Sequence, residues 1–138
     1  MELFSKDLNI KIQSLNGDES DAVQYGKYSW IIEQGISEVL EALQFGKEKR
    51  KAAKMDFFIG KLRIKYILPL KPNSKLIVKT IVSEILNKEV SFKTEICNTE
   101  DDLFTSASCT ISFMEKKSKV VLNIPTEIKQ LLNSIAKV

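Results

Sequence analysis

Apolar and polar residues alternate over most of this chain, and the one long departure from that alternation has helical spacing. Leu8, Ile10 and Ile12 interleave with Asn9, Lys11 and Gln13, which predicts a short strand over Asp7 to Ser14. Asn16-Gly17-Asp18 is a turn signal. Ile32, Ile36, Val39, Leu40 and Leu43 then form one apolar stripe, which predicts a helix from about Tyr28 to Phe45 with Gly46 as its stop. Gly35 lies inside that helix at a cost of about 1 kcal/mol relative to alanine. Close approach to a sheet would offset it.

After a basic segment, Lys47 to Lys54, period two returns. Met55 to Ile59 and Lys61 to Leu68 read as strands around Gly60, with Leu62, Ile64, Tyr66 and Leu68 facing away from Lys61, Arg63 and Lys65. Pro69 and Lys71-Pro72-Asn73-Ser74 form a turn. Three more strands follow, at Lys75 to Leu86, Glu89 to Cys97 and Leu103 to Met114. Val90, Phe92, Thr94 and Ile96 share one face of the second, and Leu103, Thr105, Ala107, Cys109, Ile111 and Phe113 one face of the third. Pro125 opens a short helix over Thr126 to Ala136. No repeat or linker interrupts this order, so residues 1–138 read as a single α+β domain. Consecutive strands joined by short turns predict an antiparallel sheet of five to six strands. One long helix covers one face, and a second copy is expected to close the remaining apolar edge.

Composition narrows the chemistry. The 138 residues are 43% hydrophobic and 28% charged, with a net charge of +3, which gives no argument for nucleic acid and suits an anionic ligand. The chain has no histidine, so a Ser-His-Asp triad, a Cys-His pair and a His-ligated metal are excluded. A carboxylate is left as the base or nucleophile of any hydrolysis. Cys97 and Cys109 read as buried free thiols rather than a disulfide or a metal pair. The N-terminal residues carry no secretory pattern, and no apolar run reaches the ~18 residues of a membrane span, which predicts a cytoplasmic protein with no membrane insertion.

Asp18-Glu-Ser-Asp21-Ala-Val23-Gln-Tyr25-Gly26-Lys-Tyr28, just before the long helix, resembles the signature of the 4-hydroxybenzoyl-CoA thioesterase-like family of hotdog-fold acyl-CoA thioesterases. Lys61-Leu-Arg-Ile-Lys-Tyr-Ile-Leu-Pro69 is similar to that family's strand ending in Tyr-x-x-Pro, and Lys75-Leu-Ile-Val-Lys-Thr-Ile-Val82 to a later strand. Ile124-Pro125 is similar to the family's approach to its final helix. Two positions depart from the pattern: Asp21 stands where the family has glycine, and Gly26 where many members have histidine.

The resemblance implies a hotdog fold, a sheet wrapped around the long helix, with thioesterase activity on acyl-CoA or an acyl-carrier protein. It implies that Asp18 is nucleophile or general base and that the Tyr25 backbone N–H polarises the thioester oxygen. It also implies a homodimer with the site between subunits, at times paired into a tetramer. No metal or redox cofactor is implied, CoA or phosphopantetheine being part of the substrate.

Each residue also has a plainer reading. Asp18 would close an Asx turn, and Asp21, a possible second carboxylate, would be a loop or N-cap residue. Tyr28 and Trp30 would line an acyl pocket or a subunit interface, or serve the core alone. Gly60 would admit a ligand or mark a β-bulge. Lys61 and Arg63, or the Lys47 to Lys54 run, would hold CoA phosphates or remain solvated. Two other functions fit the same residues: a specialised thioesterase for an aromatic or polyketide acyl group, and a non-catalytic acyl-thioester-binding protein.

Overall fold

The computed structural model describes residues 4–11, 25–71 and 73–136. Its elements are β1 (Phe4–Lys11), α1 (Tyr25–Ala42), α2 (Lys47–Ala52), β2 (Met55–Tyr66), β3 (Lys75–Ile85), β4 (Val90–Asn98), β5 (Leu103–Glu115), β6 (Val121–Leu122) and α3 (Thr126–Ala136). The strands form one antiparallel sheet in the order β1-β3-β4-β5-β2, with β6 paired to β5. Helix α1 packs on one face against β1, β3 and β4.

Alternation explains the inner face. Val78 and Val82 of β3, Val90, Phe92 and Ile96 of β4, and Ile111 and Phe113 of β5 are all buried, while their strand neighbours are less so. Ile32, Ile36, Val39 and Leu40 of α1 supply the opposing stripe.

The core is not uniform. A larger cluster surrounds Ile36, Phe92 and Phe113, and a smaller one holds Tyr28, Ile31, Leu70, Leu76, Val78 and Ile96. Between them runs the register row Thr80–Thr94–Ala107. Gly35 lies over this row: a Cβ there would collide with Thr80 Oγ1 and come within 3.2 Å of Val78 Cγ1. The close approach expected at Gly35 is therefore present, and it explains why the helix accepts a glycine. Thr80 Oγ1 is buried with no hydrogen-bond partner among the described residues.

The helix stop differs from expectation. Gln44, in the left-handed region at φ 63°, ends α1, not Gly46. Phe45 N–H donates to Leu40 O at 2.8 Å and Gln44 N–H to Glu41 O at 3.0 Å, the paired bonds of a Schellman cap. Buried Phe45 then packs in the same cluster as Leu40. Gly46 instead caps the start of α2, where a Cβ would collide with the Glu41 side chain. Lys47 to Ala52 of the basic run form a helix whose lysines are exposed, as the solvated reading expects, with Arg50 the exception. Arg50 is buried, pairs with Asp56 Oδ1 at 3.1 Å, and donates to Phe45 O at 3.0 Å.

Strands β2 and β3, read as a hairpin around the Pro69 turn, are not neighbours. β2 pairs along its length with β5 and forms one edge of the sheet, while β3 lies between β1 and β4. The two segments expected around Gly60 are one continuous strand. Strand β1 begins earlier than expected, at Phe4, and the expected residues 12–14 lie outside the described ones. Cys109 is buried as expected, whereas Cys97 is only half-buried; both are free.

Candidate active site

The expected carboxylates Asp18 and Asp21 lie outside the described residues. The described part of α1 opens at Tyr25, whose backbone N–H belongs to the first helical turn. N–H groups of a helix's first turn lack intrahelical acceptors and carry the positive end of its dipole.

One turn further on, Tyr28 is 2% exposed. Its hydroxyl accepts from Leu70 N–H at 3.3 Å, and its ring meets Tyr66 edge-on with centroids 4.9 Å apart. Tyr28 thus ties the start of α1 to the end of β2 and to the segment that leaves it. Tyr66 itself is 46% exposed. With Leu62, Ile67 and Leu68, also exposed, it lines an apolar corner along the edge strand. Trp30 is exposed on α1, with Lys27 Nζ stacked 4.4 Å above its ring.

Gly60 sits at a register shift between Ile59 and Lys61, so the bulge reading of this glycine holds. A Cβ at Gly60 would meet only Thr110 O, at 3.8 Å, so nothing among the described residues requires the missing side chain. Lys61 and Arg63 are exposed, and their register partners are Thr110 and Ser108. Those positions alternate with buried Cys109 and Ile111, so Lys61 and Arg63 lie on the outer face, away from α1. The basic α2 segment is at the other end of β2, beside Met55. The expected residues therefore divide: Tyr28 meets the end of β2, Tyr25 lies one turn before it on α1, and Lys61 is on the opposite face of the strand.

Burial raises the Cys109 thiol to about 12. The Cys97 thiol is also raised, first by burial and then by Glu95, Asp101 and Asp7. Neither is an activated nucleophile. Among the described residues no three His, Cys, Asp or Glu side chains group to hold a metal ion, and no helix is long and apolar enough to cross a membrane.

Sequence reasoning did not single out Tyr66, although the signal was present: it shares the period-two face of Leu62 and Ile64. What the alternation lacks is the information that β2 is an edge, which leaves that face only partly covered.

A profile of the thioesterase-like superfamily matches residues 22–132. The chain belongs to that superfamily. Among solved structures, the thioesterase-like chain is similar to a DHNA-CoA thioesterase from Staphylococcus aureus, at TM-score 0.86 and 15% identity over 96% of this chain and 91% of that one. It is also similar to a 1,4-dihydroxy-2-naphthoyl-CoA thioesterase from Synechocystis, at TM-score 0.81 and 10% identity over 96% and 98%. A Staphylococcus aureus protein solved in complex with CoA matches at TM-score 0.84 and 10% identity over 99% and 87%. At these identities the likeness is one of fold, the hotdog fold. No curated protein matches the chain.

Proposed function

We propose that this protein hydrolyses an acyl thioester, carried on CoA or on the phosphopantetheine of a carrier protein, to a free acid and a thiol. The observation that carries the reading is the convergence of the described start of α1 with an apolar corner on an unpaired sheet edge. Tyr28 and Tyr66 join the two. The thioester oxygen would lie against the Tyr25 N–H, where that amide and the helix dipole would stabilise developing negative charge. Asp18, seven residues upstream, would attack the carbonyl carbon or take a proton from the attacking water. The C–S bond then breaks and the thiolate leaves, taking a proton from water; where Asp18 is the nucleophile, a water then hydrolyses the acyl–Asp18 anhydride to release the free acid and restore the carboxylate. No metal or redox group enters this step.

The edge of β2 that pairs with no strand among the described residues suits a homodimer, and pairing of such dimers would give a tetramer. An edge strand offers a row of unpaired N–H and C=O groups. A second copy would cover Leu62 and Tyr66 and complete the site, with Gly60 leaving room on the approaching strand.

An aromatic acyl group is the form of substrate that one observation favours. Exposed Tyr66, already in edge-on contact with Tyr28, offers an aromatic ring a surface for edge or offset contact. One of the similar structures is by name a 1,4-dihydroxy-2-naphthoyl-CoA thioesterase and another a DHNA-CoA thioesterase.

Thiol release from short, long and aromatic acyl-CoAs tests the reading, with wild type beside Asp18→Asn. Turnover in wild type and a loss of at least about a hundredfold in the variant are expected. Equal rates in both would remove Asp18 from the mechanism and turn attention to Asp21. Tight binding without turnover would make the protein an acyl-thioester carrier instead.

A further inference from the structure

The outer face of the sheet is crossed by three neighbouring rows whose charges can be read from the register. One runs Asp7–Lys79–Glu95–Ser106–Lys65 from β1 to β2, so its inner lysine has an acid on either side. Another runs Glu84–Ser91–Thr110–Lys61, with an acid at one end and a base at the other. The row between them, Ser5–Ile81–Lys93–Ser108–Arg63, holds two cations and no acid.

Arg63 and Lys93 are exposed, and neither has an ion pair among the described residues. Two strand spacings separate them, about 10 Å, with the Ser108 hydroxyl between. Lys61 and Lys65 flank Arg63 along β2, each about 7 Å away.

Two depressions adjoin on this row, of about 430 and 470 Å³. Arg63, Lys93 and Ser108 line both. Ser106 and Lys65 extend the first, which Glu95 also borders, and Thr110 and Lys61 extend the second. Hydroxyl groups thus form a floor beside four cations, with Glu95 the one acid on the combined lining.

We infer that this row is a binding site for a phosphate-bearing small anion, separate from the apolar corner and on the opposite face of β2. A diphosphate laid over Ser108 would receive charge-assisted bonds from Arg63 on one side and Lys93 on the other. Arginine's planar fork matches phosphate geometry, and the serine hydroxyl adds a neutral donor. A second copy that set this row against itself would bring Arg63 and Lys93 against like charge.

The inference does not depend on the thioesterase reading. The same chemistry is offered by a free diphosphate and by the nucleotide end of CoA, and the experiment separates them.

Inorganic pyrophosphate is titrated calorimetrically into wild type, into an Arg63→Gln/Lys93→Gln double variant, and into a Lys116→Gln/Lys117→Gln control. The control loses the same charge from the turn before β6. Saturable binding in wild type and control is expected, weakened at least about tenfold in the double variant, the equivalent of one charge-assisted hydrogen bond. All four substituted side chains are exposed, and far-UV circular dichroism verifies the fold of each variant. Displacement of pyrophosphate by CoA assigns the site to the nucleotide end of CoA. Failure of CoA to compete assigns it to a free diphosphate-type ligand. Non-saturable binding in wild type, or equal weakening in double variant and control, overturns the inference. So does a change of oligomeric state in the double variant without pyrophosphate binding in wild type, which would make the face an interface.

Discussion

Gly35→Ala sets two effects of known sign against each other. In a solvated helix the change would stabilise by about 1 kcal/mol, since alanine is the better helix former. Here the new Cβ collides with Thr80 Oγ1 and presses to 3.2 Å on Val78 Cγ1. Relief requires α1 to lift from β3 or Thr80 to leave its rotamer, and overpacking of this kind costs about 1–3 kcal/mol. The packing term wins, for a net loss of about 1 kcal/mol. For a chain of this length that lowers the melting temperature by roughly 3–4 °C.

Thr80→Ala should reverse the loss. It removes the colliding oxygen, and with it a buried hydroxyl that has no partner among the described residues. The single change Thr80→Ala should be near neutral, within about 1 kcal/mol, because removing an unsatisfied hydroxyl offsets the poorer packing left by the missing methyl group. The double variant should then be at least as stable as wild type, with a coupling energy of about 1 kcal/mol or more. Chemical denaturation of all four proteins at one fixed concentration measures this, concentration being held because assembly would shift the midpoints. A stabilising Gly35→Ala, or a Thr80→Ala background that fails to rescue it, refutes the argument from close approach.

Asp56→Ala should cost about 2 kcal/mol in the same assay, because it strips the buried Arg50 guanidinium of its counter-charge. Glu127→Ala, which breaks the exposed pair with Lys49 at 3.2 Å, should change stability by less than about 0.5 kcal/mol. A thiol reagent should label native Cys97 slowly and leave Cys109 unmodified until the chain unfolds. Because the folded Cys109 thiol is raised from 9.0 to about 12, the unfolded state loses its proton first as pH rises. The stability from the buried neutral thiol is therefore complete below pH 9 and is lost progressively from pH 9 toward 12, so wild type and Cys109→Ala should converge across the lower part of that window. A stability difference that stays constant from pH 8 to pH 10.5 would contradict the burial argument.

How far the sequence shows this fold depends on the range of the interaction that decides each feature. The faces of β4 and β5 are legible in Val90 to Ile96 and Thr105 to Phe113, because strand alternation is a local property. The end of α1 is not, since Gln44 adopts a left-handed conformation favoured by glycine, and a glycine stands two residues later. Nothing local indicates that Arg50 is buried; that follows from Asp56 and the Phe45 carbonyl folding back on it. The linker from Ile67 to Ser74 has the composition of a hairpin turn yet carries the chain from one side of the sheet toward the other. At the candidate site, the family signature points to Tyr28, which the structure sets against Tyr66, and to Asp18, which lies outside the described residues. Lys93 was not, because only the β4–β5 and β5–β2 registers bring it into the row of Arg63.

The β2 edge strand joins the two proposals while keeping them apart. Its inward residues Leu62, Ile64 and Tyr66 belong to the apolar corner, and its outward residues Lys61, Arg63 and Lys65 belong to the anion row. Period two thus places an apolar surface and a cationic surface on opposite faces of one strand, within a single pleat of each other. A thioester of CoA has an apolar acyl arm and a phosphate-rich end, so both surfaces suit parts of one molecule. They can hold one molecule together only if its pantetheine arm passes around an end of β2 or over its free edge. Pairing of that edge with a second copy would close the route over the edge and leave only the route around the end. Edge pairing and simultaneous use of both surfaces therefore constrain each other. Competition by an aromatic acyl-CoA for the pyrophosphate site, measured beside CoA at concentrations above and below dissociation of any dimer, would detect the conflict as an advantage over CoA that is lost in the assembled form.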